Sequence, residues 1–312
     1  MASTAEIAQP QRRSCGTMAH FNRLAELDPD YRARLADIEG LTVLRMARMA
    51  LTRQTRLTVP VVVHIIHRIA AENISDEQVH SQIEVLNADY SATNADKAMV
   101  PSPWQSLAAD AQIRFALASI GPDGAATGGI VRVKTRVDEF GQDEAVKFSA
   151  TGGSDAWDID RYLNIWVCNL GDGLLGYAQF PGGPKETDGV VIRYTAFGTT
   201  GTAAAPFDKG RTTTHEVAHF LNLRHIWGDT EDCSGTDHVS DTPRQQLPNY
   251  DKPSFPHVSC NNGPNGDMFM NYMDYVDDDA MFMFTHGQVA RMRATLTGQR
   301  KGLVRTGVAR RR

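Results

Sequence analysis

His215 and His219 stand four residues apart, with Glu216 beside the first. On a helix that spacing puts both imidazoles on one face, near enough to share a metal ion, and leaves the glutamate within reach of a water at that ion. This is the layout of a zinc hydrolase in which the glutamate acts as a base. His225 follows six residues after His219 and completes the long zinc pattern HExxHxxGxxH. Three neutral imidazoles with an open fourth position make a catalytic zinc site, whereas a structural site closes all four positions with protein ligands. Where the pattern has glycine, this chain has Asn222. The backbone must turn sharply there, with positive φ, to swing His225 back to the metal. Asparagine tolerates that conformation at a cost of about 1 kcal/mol.

The elements that carry these residues follow from the hydrophobic pattern. Leu57 to His67 reads as a first strand, and Ile113 to Ser119, Ile130 to Thr135, Leu163 to Cys168 and Gly189 to Tyr194 read as further strands. Ser75, with Gln78 three residues on, predicts a capped helix running to about Tyr90. Asp155 to Asp160 reads as a short helical connection. Leu174 to Pro181, which includes Gly176, Tyr177 and Phe180, reads as an edge segment whose backbone can pair with an extended peptide. After Gly228 little regular structure is expected until a final helix over Thr285 to Thr297. The pattern predicts an α/β (α+β) domain: a twisted mixed sheet with a backing helix and the zinc helix above, and an irregular lower part with a C-terminal helix. Before this domain, Phe21 to Met49 has helical periodicity, with breaks expected near Asp28-Pro29 and at Gly40, and contains no catalytic residues.

The chain has 312 residues and a net charge of −5. Its first 56 residues hold nine arginines against six acids, so they carry +3 and the remainder −8. A basic segment lying on an acidic body is electrostatically favourable. No basic patch interleaved with aromatics points to nucleic acid, and no apolar run approaches the roughly 20 residues of a membrane span. The first ten residues lack a signal-peptide pattern. Of the four cysteines, Cys233 and Cys260 lie in a Gly/Pro/Asn-rich region that needs a staple and are the expected disulfide, which would imply an oxidising compartment. Cys168 ends an apolar strand and reads as a buried thiol.

Downstream, Met270 to Tyr275 resembles the Met-turn of metzincin metallopeptidases. His225 to Asp229, Asp241 to Pro243, Asn261 to Asp267 and Met283 to Thr285 narrow the resemblance to the pappalysin family, over about Val61 to Met292. The resemblance implies that Met273 forms an apolar floor under the zinc ligands and that Tyr275 places its hydroxyl near the metal. It implies an Asp237 to Thr242 calcium site, the alternative being a solvated acidic loop. The second disulfide of many members falls on Lys252 and Ala280 here, which supports pairing of Cys233 with Cys260. Arg13 to Thr17 resembles the pro-segment motif in which a cysteine switch blocks the zinc, so Cys15 becomes the zinc ligand of a latent form; the alternative is an incidental free cysteine. The resemblance further implies a pocket favouring Arg or Lys after the scissile bond, walled by the segment that holds Asp277 to Asp279, of which Asp279 is the first choice for its base.

These readings together describe a secreted zinc endopeptidase acting on protein or peptide substrates and restrained by its own pro-segment. The expected divisions are a pro-segment at 1–56, a catalytic domain at 57–304 (upper part 57–225, lower part 226–304) and a basic tail at 305–312. The alternative is a non-catalytic, zinc-stabilised binding or adhesion domain.

Overall fold

The structure is a computed structural model that describes residues 10–49 and 55–306. Residues 1–9 and 50–54 of the expected pro-segment and the end of the expected basic tail, 307–312, lie outside the described residues. Two helices, α1 (Thr17–Leu27) and α2 (Tyr31–Met49), precede a seven-stranded sheet. The helices part at Asp28-Pro29, where proline's missing N–H and fixed φ disfavour a continuous helix. Gly40 does not break α2. It is exposed, and its cost of about 1 kcal/mol is offset by the burial of Ile38 and Thr42 on either side.

Strand β1 (Leu57–His67) is the axis of the sheet. It pairs in parallel with β2 (Ile113–Leu117) along its first half, with β3 (Ile130–Lys134) along its second, and with β4 (Leu163–Cys168) on the opposite side. Beyond β4 lies parallel β6 (Val190–Arg193), and β5 (Gly176–Ala178) closes the row as an antiparallel edge. A final short strand, β7 (Arg305–Thr306), pairs with Leu57 and Thr58. Because β1 is covered on both faces it is a continuous Val/Ile run rather than an alternating one. Val59, Val61, Val63 and Ile65 pack with Val79, Leu86 and Tyr90 of helix α3 (Asp76–Tyr90), which starts on the Ser75 cap. Ile66, Trp166 and Val191 form the core of the other face.

The zinc-motif helix α4 (Arg211–Phe220) is buried along its whole length. Below it, among the described residues, no α-helix or strand occurs between Gly228 and α5 (His286–Thr297), whose cap is Thr285. Buried carboxylates replace regular hydrogen bonding there. Asp274 accepts from Asn249 N, Asn249 Nδ2, Gln245 Nε2 and Tyr275 N, and Asp267 accepts from Ser259, Asn262 and His257. Cys233 and Cys260 are bonded, and Cys168 is buried and free. Asp155 to Asp160 forms no helix; its end is a tight turn in which Asp158 O accepts from Arg161 N and Tyr162 N. No helix among the described residues is long and apolar enough to cross a membrane.

Candidate active site

Helix α4 is locked before it carries any chemistry. Arg211, at its first turn, pairs with Asp89 at 2.7 Å and with Asp96 at 2.9 Å. Thr214 donates to the second oxygen of Asp89, Thr213 donates to Gln82, and the Tyr90 hydroxyl donates to Thr214 O. These bonds fix the rotation of α4 against α3, so His215 and His219 project together toward the cleft. The helix ends at Asn222, whose φ of +70° is the left-handed turn expected from the sequence. Asn222 N donates to His219 O and Leu223 N donates to Ala218 O, a C-terminal capping arrangement. The same turn brings Leu223 O within 2.8 Å of His219 Nδ1, so one bend both returns the chain and orients a ligand.

The three imidazoles converge through their Nε2 atoms. His219 Nε2 lies 3.1 Å from His215 Nε2 and 3.1 Å from His225 Nε2. Each Nδ1 is engaged by an acceptor: Tyr272 O for His215, Leu223 O for His219 and Asp229 Oδ1 for His225, at 2.7, 2.8 and 2.5 Å. With the proton on Nδ1, three Nε2 lone pairs point at one spot and repel unless a cation lies between them. Burial pushes the pKa values of His215 and His219 well down, so both are neutral, as metal ligation requires. Cys15 Sγ joins them, all four ligand atoms lying within 4.8 Å of one another. The donor set therefore fits a tetrahedral zinc ion, with carbonyl and carboxylate partners behind each imidazole.

Glu216 faces the same spot. Cys15 Sγ is 3.4 Å from its Oε2, and Thr17 Oγ1 donates to that oxygen at 2.9 Å. Burial raises the Glu216 carboxyl to about 7, against the lowering effect of these two donors. Burial, and then the charge of Glu216, push the Cys15 thiol well up. Gly176 accounts for the close approach of the edge strand, because a Cβ there would lie 2.9 Å from Glu216 Cγ.

The N-terminal segment lies in this cleft. Gly16 N donates to Gly176 O and Leu175 N donates to Ser14 O, so the segment runs parallel to β5. Thr17 Oγ1 also accepts from Ala178 N, and the Tyr177 ring packs 5.1 Å from His20. Below the ligands, Met273 is fully buried, its carbonyl accepting from Ile226 N beside His225. Tyr275 packs edge-on to His225 at 4.9 Å, and its hydroxyl lies 3.4 Å from Cys15 O.

Of the three acids, Asp278 rather than Asp279 is the one that the structure places against Arg13 of the N-terminal segment. Asp279 lies half-exposed between Lys209 and Lys252. Asp278 is fully buried: one oxygen takes Arg13 Nη2 at 2.5 Å, and the other accepts from Lys209 N and Arg211 N at the start of α4. The spacing of three consecutive aspartates could not select the inward one, because a 3₁₀ turn over 278–280 sets which side chain points in. Asp237 is buried and accepts from Val239 N and Thr242 Oγ1, while Asp241 accepts from Thr285 Oγ1 and Gly287 N.

Two supporting residues were not singled out from the sequence. Asp229 holds His225, and Trp227 stacks on its ring at 4.3 Å. The available signal was an acid four residues after a ligand histidine.

A family model described as "Pregnancy-associated plasma protein-A" matches residues 149–297. An extracellular metalloprotease of Arthroderma benhamiae is 31% identical over 288 residues, spanning 90% of this chain and 82% of that protein. A structure of a Tannerella forsythia promirolysin mutant is 48% identical with a TM-score of 0.86, covering 93% of this chain and 97% of that one. Mature mirolysin of the same organism, in complex with a cleaved peptide, is 52% identical with a TM-score of 0.79 over 80% of this chain and 96% of that one.

Proposed function

The chain belongs to the pappalysin family of metzincin zinc metalloendopeptidases, and from this we propose that it is a latent secreted zymogen whose pro-segment, residues 1–56, fills the catalytic cleft with its stretch from Arg13 to His20. The observation that carries this reading is the placement of Cys15 Sγ with the three imidazoles and against Glu216. A thiolate is a good zinc ligand and would take the fourth position that a catalytic site keeps open. Secretion is supported by the relatives named extracellular and by a disulfide, which persists in oxidising compartments. An adhesion domain has no use for Glu216, and family membership favours the enzyme.

His215, His219 and His225 would hold the zinc, which would supply a water of near-neutral pKa and polarisation of the scissile carbonyl. Glu216 takes the proton of the attacking water and passes it to the leaving amine. The Tyr275 hydroxyl, which faces Cys15 O in the latent chain, turns to the developing oxyanion, an interaction worth about 3 kcal/mol. Gly176 and Tyr177 pair with the substrate backbone along β5.

Arg13 supports a preference for Arg or Lys after the scissile bond. Its guanidinium enters the Asp278 pocket, donates to Val276 O and Thr212 Oγ1, and lies 5.1 Å over Phe207, as a substrate side chain would. A peptide library incubated with the processed protein tests both activity and preference. Cleavage before Arg and Lys that stops on chelation is expected. The variant Asp278→Asn should lose about 10²-fold in kcat/KM on Arg peptides, as an unpaired buried cation dictates. A preference for apolar residues at that position in the wild type would overturn the assignment.

A calcium site over Asp237 to Thr242 remains part of the proposal, supported by two carboxylates in a loop without regular structure. Adding calcium chloride to metal-stripped protein should raise Tm by several degrees, corresponding to about 2–3 kcal/mol at 100 times Kd. An unchanged Tm would remove calcium from this loop.

A further inference from the structure

Past Cys15 the chain enters α1 and places His20 in a pocket that the zinc chemistry leaves unexplained. His20 is 1% exposed, with Nε2 on Glu144 Oε1 and its ring against Tyr177. The other oxygen of Glu144 lies 2.7 Å from Lys147 Nζ. Lys147 is wholly buried, donates also to Thr187 O, and sits over the faces of Trp166 and Tyr177 at 5.4 and 5.0 Å. Glu144 adopts φ +70°, a left-handed conformation that is costly for a glutamate, and its carboxylate points into this wall. The Tyr177 hydroxyl is buried in the same wall without a hydrogen-bond partner.

The pair is neutral as a whole. Burial alone would raise the Glu144 carboxyl, but Lys147 and His20 hold it down at about 2. Burial pushes His20 down, so the imidazole enters uncharged. What the wall lacks without His20 is one donor for Glu144 Oε1. A second cation there would face Lys147, and an acid would face Glu144.

We propose that in the processed enzyme Glu144, Lys147 and Tyr177 form a substrate subsite on the N-terminal side of the scissile bond, which takes an uncharged hydrogen-bond donor: the imidazole of His or the carboxamide of Asn or Gln. The side of the bond follows from chain order and rests on the proposed function. Arg13 lies at Asp278, Cys15 at the imidazoles, and past Thr17, which meets Ala178 N, α1 brings His20 to Glu144 and Tyr177. If the residue after the scissile bond sits at Asp278, the residues before it lie toward Glu144. A substrate then runs opposite to the N-terminal segment.

The test uses the processed protein and peptides with Arg fixed after the scissile bond, each of the four preceding positions being varied in turn. At one of them, His, Asn or Gln should raise kcat/KM about fivefold or more over Ala, because a buried acceptor left unpaired is disfavoured. Lys, Arg, Asp and Glu should fall below Ala at that position. In Glu144→Gln the His-to-Ala ratio should drop to within about twofold of one. In the full-length chain, His20→Gln should keep its activation rate while His20→Lys should activate several-fold faster. Flat or apolar selection at all four positions, with Arg still preferred after the bond, overturns the subsite alone. Loss of the Arg preference, or no cleavage at all, overturns the reading on which it rests.

Discussion

Exchange of Glu216 for alanine is expected to lower casein hydrolysis by the processed protein by about 10²–10⁴-fold, the usual contribution of a positioned general base. The effect is large because Glu216 has no substitute. It is buried beside the imidazoles, and its present donors, Cys15 and Thr17, both belong to the segment proposed to leave on processing. The three histidines and their acceptors Tyr272 O, Leu223 O and Asp229 are untouched by the substitution, so zinc content measured by atomic absorption should stay at one per chain. Equal casein turnover by wild type and Glu216→Ala at equal zinc content would end the assignment of Glu216 as base.

Cys15→Ala should shorten latency, with activity appearing at least tenfold sooner after dilution of the full-length chain, equivalent to about 1.4 kcal/mol of lost restraint. The sulfur blocks two things at once: the position completing the imidazole set and the oxygen of the base. Thr17→Val should act in the same direction but less strongly, since it removes donation to Glu216 and acceptance from Ala178 N while leaving the thiol. The readout is the lag before cleavage of a fluorogenic peptide. An unchanged lag in Cys15→Ala would mean that Arg13, His20 and the helices alone hold the segment in place.

The sequence made the chemistry legible where chemistry depends on local spacing. Residues four apart on a helix must share a face, and a chain that must reverse direction needs a residue tolerant of positive φ, so His215, Glu216, His219 and Asn222 could be read directly. The strands were legible because a doubly covered parallel sheet requires apolar runs, and their ends moved by only a residue or two. The choice among Asp277, Asp278 and Asp279 was not legible, since it depends on the rotation of a single 3₁₀ turn fixed by distant residues. Glu144 was not legible for a related reason. Its partners His20, Lys147 and Tyr177 come from three separate parts of the chain, and its left-handed φ has no signal in residue type.

Asp278 gives one oxygen to the Arg13 guanidinium and the other to Arg211 N, the first N–H of the helix that carries His215 and His219, and to Lys209 N just before it. The proposed selectivity and the scaffold would therefore hang on a single side chain. Drift that replaced this acid to admit an apolar residue would also uncap α4, at about 1 kcal/mol for the lost cap beside the loss of its charge at the helix start. The proposed preference for a cation would thus be protected by the stability of the fold that displays it. Diversification of this pocket, natural or engineered, has an easier route through its other walls, Thr212 and Phe207, which touch the guanidinium without anchoring the helix.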